Sequence, residues 1–190
     1  MKFPKSEKII AALFVRSDSY YQDFSFVDCY DIIRGAENFN SDLPVIAHPP
    51  CRSWSRLRKF AKPRDGEKEL ALNALNLVRK NGGVLEHPSG SLLWKEKNLP
   101  APGSRDENGI CISVPQNWFG HKARKNTFLY ICGLDYCEVP AFPYHLGEAE
   151  KTVSGHLSKR QRELTPYPFA EFLVTIALRI HKLKQKETAA

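Results

Sequence analysis

The run DGEKELALNALNLVRKNGGVLE, residues 65–86, couples a helix to a strand. Leu70, Ala71, Ala74, Leu75 and Val78 recur at the spacing that places apolar side chains on one helix face. Asp65 can cap the start, and Gly82–Gly83 stop the helix after about Lys80. Val84–Glu86 then opens a strand. Upstream, Ile9–Val15 is a continuous apolar run, as expected of a strand covered on both faces. Phe24–Cys29 and Pro44–Ala47 are further strand candidates, the second stopped by Pro49 and Pro50. Downstream, Leu99–Gly109 reads as a loop, and Ile110–Val114 and Thr127–Cys132 as strands. Phe169–His181 is a last helix, with Phe169, Phe172, Leu173, Ile176, Ala177 and Ile180 on one face, and Lys182–Ala190 reads as a frayed end.

Strands alternating with helices predict an α/β fold with a mostly parallel sheet, reduced and Rossmann-like. The expected organisation is one three-layer domain over 1–183, with a flexible tail at 184–190. The chain has 190 residues and a net charge of +7, which favours polyanionic partners. The five cysteines are odd in number and form no dense framework, so a reducing cytoplasm is expected. Cys132 and Cys137 lack a second metal-type pair, so no metal is expected. No apolar run is long enough for a membrane span. Oligomeric state stays open.

Three polar loops carry the candidate chemistry. In Ala47-His48-Pro49-Pro50-Cys51-Arg52-Ser53-Trp54-Ser55, Cys51 stands at the start of an expected helix, where the dipole and Arg52 can lower a thiol pKa. In Val84-Leu85-Glu86-His87-Pro88-Ser89-Gly90-Ser91, Glu86 closes an apolar strand, and desolvation there would raise its pKa towards proton transfer. Phe119-Gly120-His121-Lys122-Ala123-Arg124-Lys125-Asn126-Thr127 sets a basic loop before a strand. Arg52, Arg56, Arg58, Lys59, Lys62 and Arg64 follow one another with no acid between them and with Trp54 and Phe60 interleaved. Cations contact phosphates and aromatic rings stack on bases, so DNA is the expected partner.

Read in order, these loops resemble cytosine-C5 DNA methyltransferases. In that family a Pro-Cys loop supplies a thiolate, a strand-end glutamate holds a flipped cytosine, and an arginine-rich stretch closes the site. Pro49-Pro50-Cys51, Leu85-Glu86-His87-Pro88 and Gly120-His121-Lys122-Ala123-Arg124-Lys125 look like these parts, with 35 residues from Cys51 to Glu86 and 38 from Glu86 to Arg124. The Thr165–Ile180 segment loosely resembles the family's final helix. The sequence also resembles compact phage and prophage proteins with the Ala-His-Pro-Pro-Cys and Leu-Glu-His-Pro pattern, which implies a host–phage role. The family's glycine turn for S-adenosylmethionine has no counterpart in Arg16-Ser17-Asp18-Ser19-Tyr20-Tyr21. The next strand begins near Phe24, which leaves less than the roughly 10–12 residues that a parallel crossover with its helix needs, so the first βαβ unit is expected to be missing. No target-recognition domain fits between the third loop and the last helix.

The expectation is an enzyme that takes a flipped-out, modified cytosine-type base from DNA and cuts it off hydrolytically, like a glycosylase, without a cofactor. Glu86, Asp28 or Asp31 would orient water or offset positive charge on the sugar, and His48 or His87 would assist the leaving base. Trp54, Arg52, Ser89 and Ser91 are the base-binding candidates. Arg56, Arg58, Lys59, Lys122, Arg124 and Lys125 are the phosphate contacts. The rival reaction is C5 methyl transfer through Cys51, with S-adenosylmethionine as donor. A third reading is a module that binds modified bases or nucleotides without chemistry.

Overall fold

The computed structural model describes residues 7–56, 58–141, 143 and 157–189. Six strands form one sheet: β1 (Ile10–Leu13), β2 (Val27–Tyr30), β3 (Val45–Ala47), β4 (Gly83–Pro88), β5 (Gly109–Pro115) and β6 (Asn126–Cys132). Their spatial order is β2-β1-β3-β4-β6-β5. The first four run parallel, and β6 lies antiparallel between β4 and β5. The helices are α1 (Arg58–Ala61), α2 (Glu67–Asn81), α3 (Leu93–Glu96), α4 (Lys159–Glu163) and α5 (Tyr167–Thr188). The α/β fold with its mostly parallel sheet is the one expected from the sequence.

Alternation along the strands builds two cores. Ile10, Ala12, Ile46, Val84, Leu129 and Ile131 face α5, which contributes Phe169, Leu173, Ile176, Ala177 and Ile180. Ala11, Leu13, Val45, Ala47, Leu85 and Tyr130 face α2, which contributes Ala71, Ala74, Leu75 and Val78. The sheet is thus the middle of three layers. Among the described residues no helix is long and apolar enough to cross a membrane.

Several local expectations are corrected. Asp65 does not cap α2. Gly66, in the left-handed region at φ 74°, is the N-cap residue, and Glu67 folds back to accept the Arg64 backbone N–H at 2.8 Å. The tail expected at 184–190 is helical as far as Thr188. Lys184 anchors it by donating to the carbonyls of Asp42 (2.8 Å) and Asn81 (3.2 Å). The first crossover is present: β1 and β2 pair in parallel. The connection is short because a four-residue 3-10 helix at Tyr20–Asp23 replaces a full α-helix.

Gly83 decides how β4 enters the sheet. Its φ is 138°, and a Cβ there would lie 2.0 Å from the Val45 carbonyl oxygen. Gly83→Ala must therefore push β3 and β4 apart or flip the residue. A destabilisation of about 2–4 kcal/mol is expected, at the upper end of overpacking costs. Thermal denaturation should show a Tm lowered by about 2–4 °C per kcal/mol for a chain of this size. A Tm within 1–2 °C of the unaltered protein, on the same scale, would refute the close contact.

Candidate active site

β3 and β4 are parallel neighbours, with Ala47 opposite Leu85, so the loops that follow them meet. His48 leaves the end of β3, and Glu86 lies on the α5 face near the end of β4. Glu86 Oε2 accepts from His48 Nδ1 at 3.1 Å, and Glu86 Oε1 accepts from Gln116 Nε2 at 2.9 Å. Because an ionised carboxylate can only accept, the proton of the imidazole sits on Nδ1. The His48 Nε2 then accepts the Tyr21 hydroxyl at 2.9 Å. Gln116 Nε2 also donates to Thr127 Oγ1 at 2.9 Å, and that hydroxyl donates to the Lys125 carbonyl at 3.1 Å. A buried polar chain therefore crosses the carboxyl end of the sheet, from the Tyr20–Asp23 turn through β3 and β4 to β6.

Glu86 is held as an anion. Burial alone would raise its pKa, but the His48 hydrogen bond, the Lys125 charge and both neighbouring imidazoles together pull it down to about 2. The expected raised carboxyl is thus corrected, and Glu86 is suited to fixing charge rather than to giving up a proton. Cys51 also departs from expectation. Only a three-residue 3-10 turn, Arg52–Trp54, follows it, too short to supply a helix dipole. Cys51 is exposed by area. Nonetheless the protein atoms around its thiol raise the pKa, the Glu86 charge raises it further, and Lys125 opposes them.

His87 belongs to the other face. It is fully buried beside Trp94, with ring centroids 6.3 Å apart, and neither ring nitrogen completes a hydrogen bond. The Pro50 carbonyl lies near enough to favour the cation, as does Glu86, but desolvation wins and pushes the pKa down to about 4. The ring has no route to a substrate on the Glu86 face.

The remaining candidates divide clearly. Asp28 pairs with Arg34 at 2.5 Å, and Asp31 accepts the backbone N–H groups of Ile33 and Arg34 at 3.0 and 2.9 Å. Both belong to β2 and its turn, three strand spacings from β4, or about 14 Å. They are too far away to share a task with Glu86. Trp54 is 1 % exposed, and its indole donates to the Lys68 carbonyl, so it offers no stacking surface and is corrected to a core residue. Arg52 is bound at 2.9 Å to buried Glu67, and Ser91 Oγ accepts the Leu93 N–H at 3.1 Å at the start of α3. Both hold local structure. Arg58 and Lys59 sit exposed on α1, beside the exposed Phe60. Lys122 and Arg124 are exposed, whereas Lys125 is half-buried and directs its charge at Glu86.

Arg56 from the basic stretch after the first loop, Ser89 from the second loop and Arg124 from the third line a single cleft of about 550 Å³, with Trp118 and Phe128 as its aromatic wall. Sequence reasoning missed Tyr21, Gln116 and Trp118. Tyr21 sits in a polar stretch that resembles a surface turn. Gln116 and Trp118 precede the charged loop and carry no charge themselves, so only their adjacency to it was available as a signal. Comparison with known protein families, with curated proteins and with solved structures finds no match for this chain.

The two depressed pKa values set an acid limit. Between pH 6.5 and about 4 the unfolded chain takes a proton on His87 that the folded chain refuses, so stability falls as pH drops. A difference of this size amounts to about 3 kcal/mol. Glu86 contributes stability above its ordinary 4.5 that is lost as pH falls towards about 2. Urea denaturation of His87→Phe should show the first loss removed and the second retained. An unchanged slope between pH 6.5 and 4 would show that His87 is not held neutral.

Proposed function

We propose that this chain is an enzyme acting on a nucleobase in DNA, and that it hydrolyses the bond between a cytosine-type base and its sugar. The observation that carries the reading is Glu86, an anion held between His48 and Gln116 at a parallel strand end. Breaking an N-glycosidic bond builds positive charge on the sugar, and a fixed carboxylate offsets that charge as it develops. The water oxygen bonds the anomeric carbon, and the electron pair of the C–N bond leaves with the base. The water's proton ends on the departing nitrogen. The base must leave the helical stack to reach such a pocket. The basic residues Arg56, Arg58, Lys59, Lys122 and Arg124 are the phosphate grip.

Two features favour hydrolysis over methyl transfer. The Cys51 thiol is raised, not activated. The turn after β1 also fits S-adenosylmethionine poorly. It has no glycine, and Phe14 holds φ 60°. It is crossed by Arg16, which pairs with Asp18 and Glu163, and by Arg160, which pairs with Asp18. One observation favours the rival transfer: exposed Cys51 lies close enough to Glu86 to feel its charge.

The test is single-turnover release of free base from oligonucleotides carrying cytosine or modified cytosines, with binding measured in parallel. Glu86→Gln should lower the rate by about 10²-fold or more at unchanged affinity, as for loss of a transition-state interaction. Cys51→Ala should stay within about tenfold, because hydrolysis needs no thiol. Full loss in Cys51→Ala with normal affinity, or a mass gain on DNA instead of a released base, would overturn excision in favour of transfer.

A further inference from the structure

We infer that the cleft lined by Arg56, Ser89, Trp118, Arg124, Asn126 and Phe128 is a second subsite, which holds the nucleotide beside the target base. The substrate is then an unpaired DNA segment rather than a free nucleoside. This inference rests on the reading of Glu86 given above and names the form of its substrate. The cleft measures about 550 Å³, within the range of small-ligand sites. Arg56 and Arg124 enter it from different loops, and among the described residues neither is paired with a carboxylate. Two guanidinium groups over one concavity match a phosphodiester in geometry and charge. The half-buried indole of Trp118 and the ring of Phe128 supply an apolar wall, and Asn126 and Ser89 add donors and acceptors.

The placement relative to Glu86 makes the substrate a strand. Phe128 lies opposite His87 in the β4–β6 register, on the α2 side, whereas Glu86 faces α5. Trp118, the other aromatic wall, packs against the α5-side core, so the cleft draws on both faces and lies across the end of the sheet, with Glu86 to one side of it. Ser89 is three residues past Glu86, at most about 10 Å along extended chain. A ligand that reaches both must pass over the strand end and present two separate polar groups. A free nucleoside has one base and no phosphate to offer. A polynucleotide offers the target base to one side and the neighbouring phosphate and base to the other. Stacking a base against Trp118 requires that base to be unpaired.

The tryptophans make the subsite readable, because Trp54 is 1 % and Trp94 8 % exposed while Trp118 lines the cleft. The probes are dCMP, a trinucleotide single strand with cytosine at its centre, and a blunt duplex containing the same triplet. The trinucleotide should quench tryptophan emission and bind at least about tenfold more tightly than dCMP, as expected for one added stacked base. Trp118→Ala should remove that advantage and leave dCMP affinity unchanged. Arg56→Glu, at an exposed position where folding is not at issue, should weaken the trinucleotide by a larger factor than dCMP. Equal affinity for dCMP and trinucleotide, or tighter binding of the intact duplex, overturns the subsite even where Glu86→Gln still abolishes base release. If no probe binds and no base is released, the reading of Glu86 fails as well.

Discussion

Everything at the carboxyl end of the sheet depends on how closely two backbones approach at the start of β4. Gly82 ends α2 at φ 70°, and a Cβ there would lie 2.8 Å from Ile180 of α5. Gly83 rests directly on Val45. The chain can thus leave α2 and enter the sheet beside β3 within two residues. That junction fixes the register Ala47 opposite Leu85, and the register brings His48 and Glu86 within hydrogen-bond distance. A bulkier junction would shift the strand, and a shift of one residue would turn Glu86 towards α2.

The fold was legible where periodicity is strong. The apolar spacing of α2 and α5 and the unbroken run of β1 each identify their element, because burial on one or both faces leaves no alternative pattern. The boundaries were less so. Residues 182–188 lack an apolar stripe, yet they remain helical because Lys184 finds two carbonyls on distant segments. After β1 the chain is too short for a crossover with its α-helix, and none lies there, yet β1 and β2 still pair in parallel. A single 3-10 turn proves sufficient.

The site was legible as loops and much less as interactions. His48 and Glu86 are found together because strand order follows from the fold. The sign of the Glu86 shift was not accessible from sequence. It depends on whether burial or the three surrounding residues His48, Lys125 and His87 dominate, and the one that bonds the carboxylate lies 38 positions away. His87 shows the same difficulty. One residue further along the strand, a similar side chain faces the opposite layer and becomes part of the core. Trp54 and Arg52 stand in a basic stretch, but the first is consumed by packing and the second by Glu67.

The last long helix has one more consequence, for the order in which the molecule can be made. α5 is the cover for Ile10, Ala12, Ile46 and Val84, which belong to strands completed before residue 90. During synthesis, the α2 layer can close on its side while the opposite side of the sheet stays bare until residues 169–180 leave the ribosome. The nascent chain therefore carries a half-covered apolar sheet for much of its elongation, the kind of surface that attracts chaperones or neighbouring chains. Its final contacts join segments far apart in sequence, which makes completion of the fold a slow, late event.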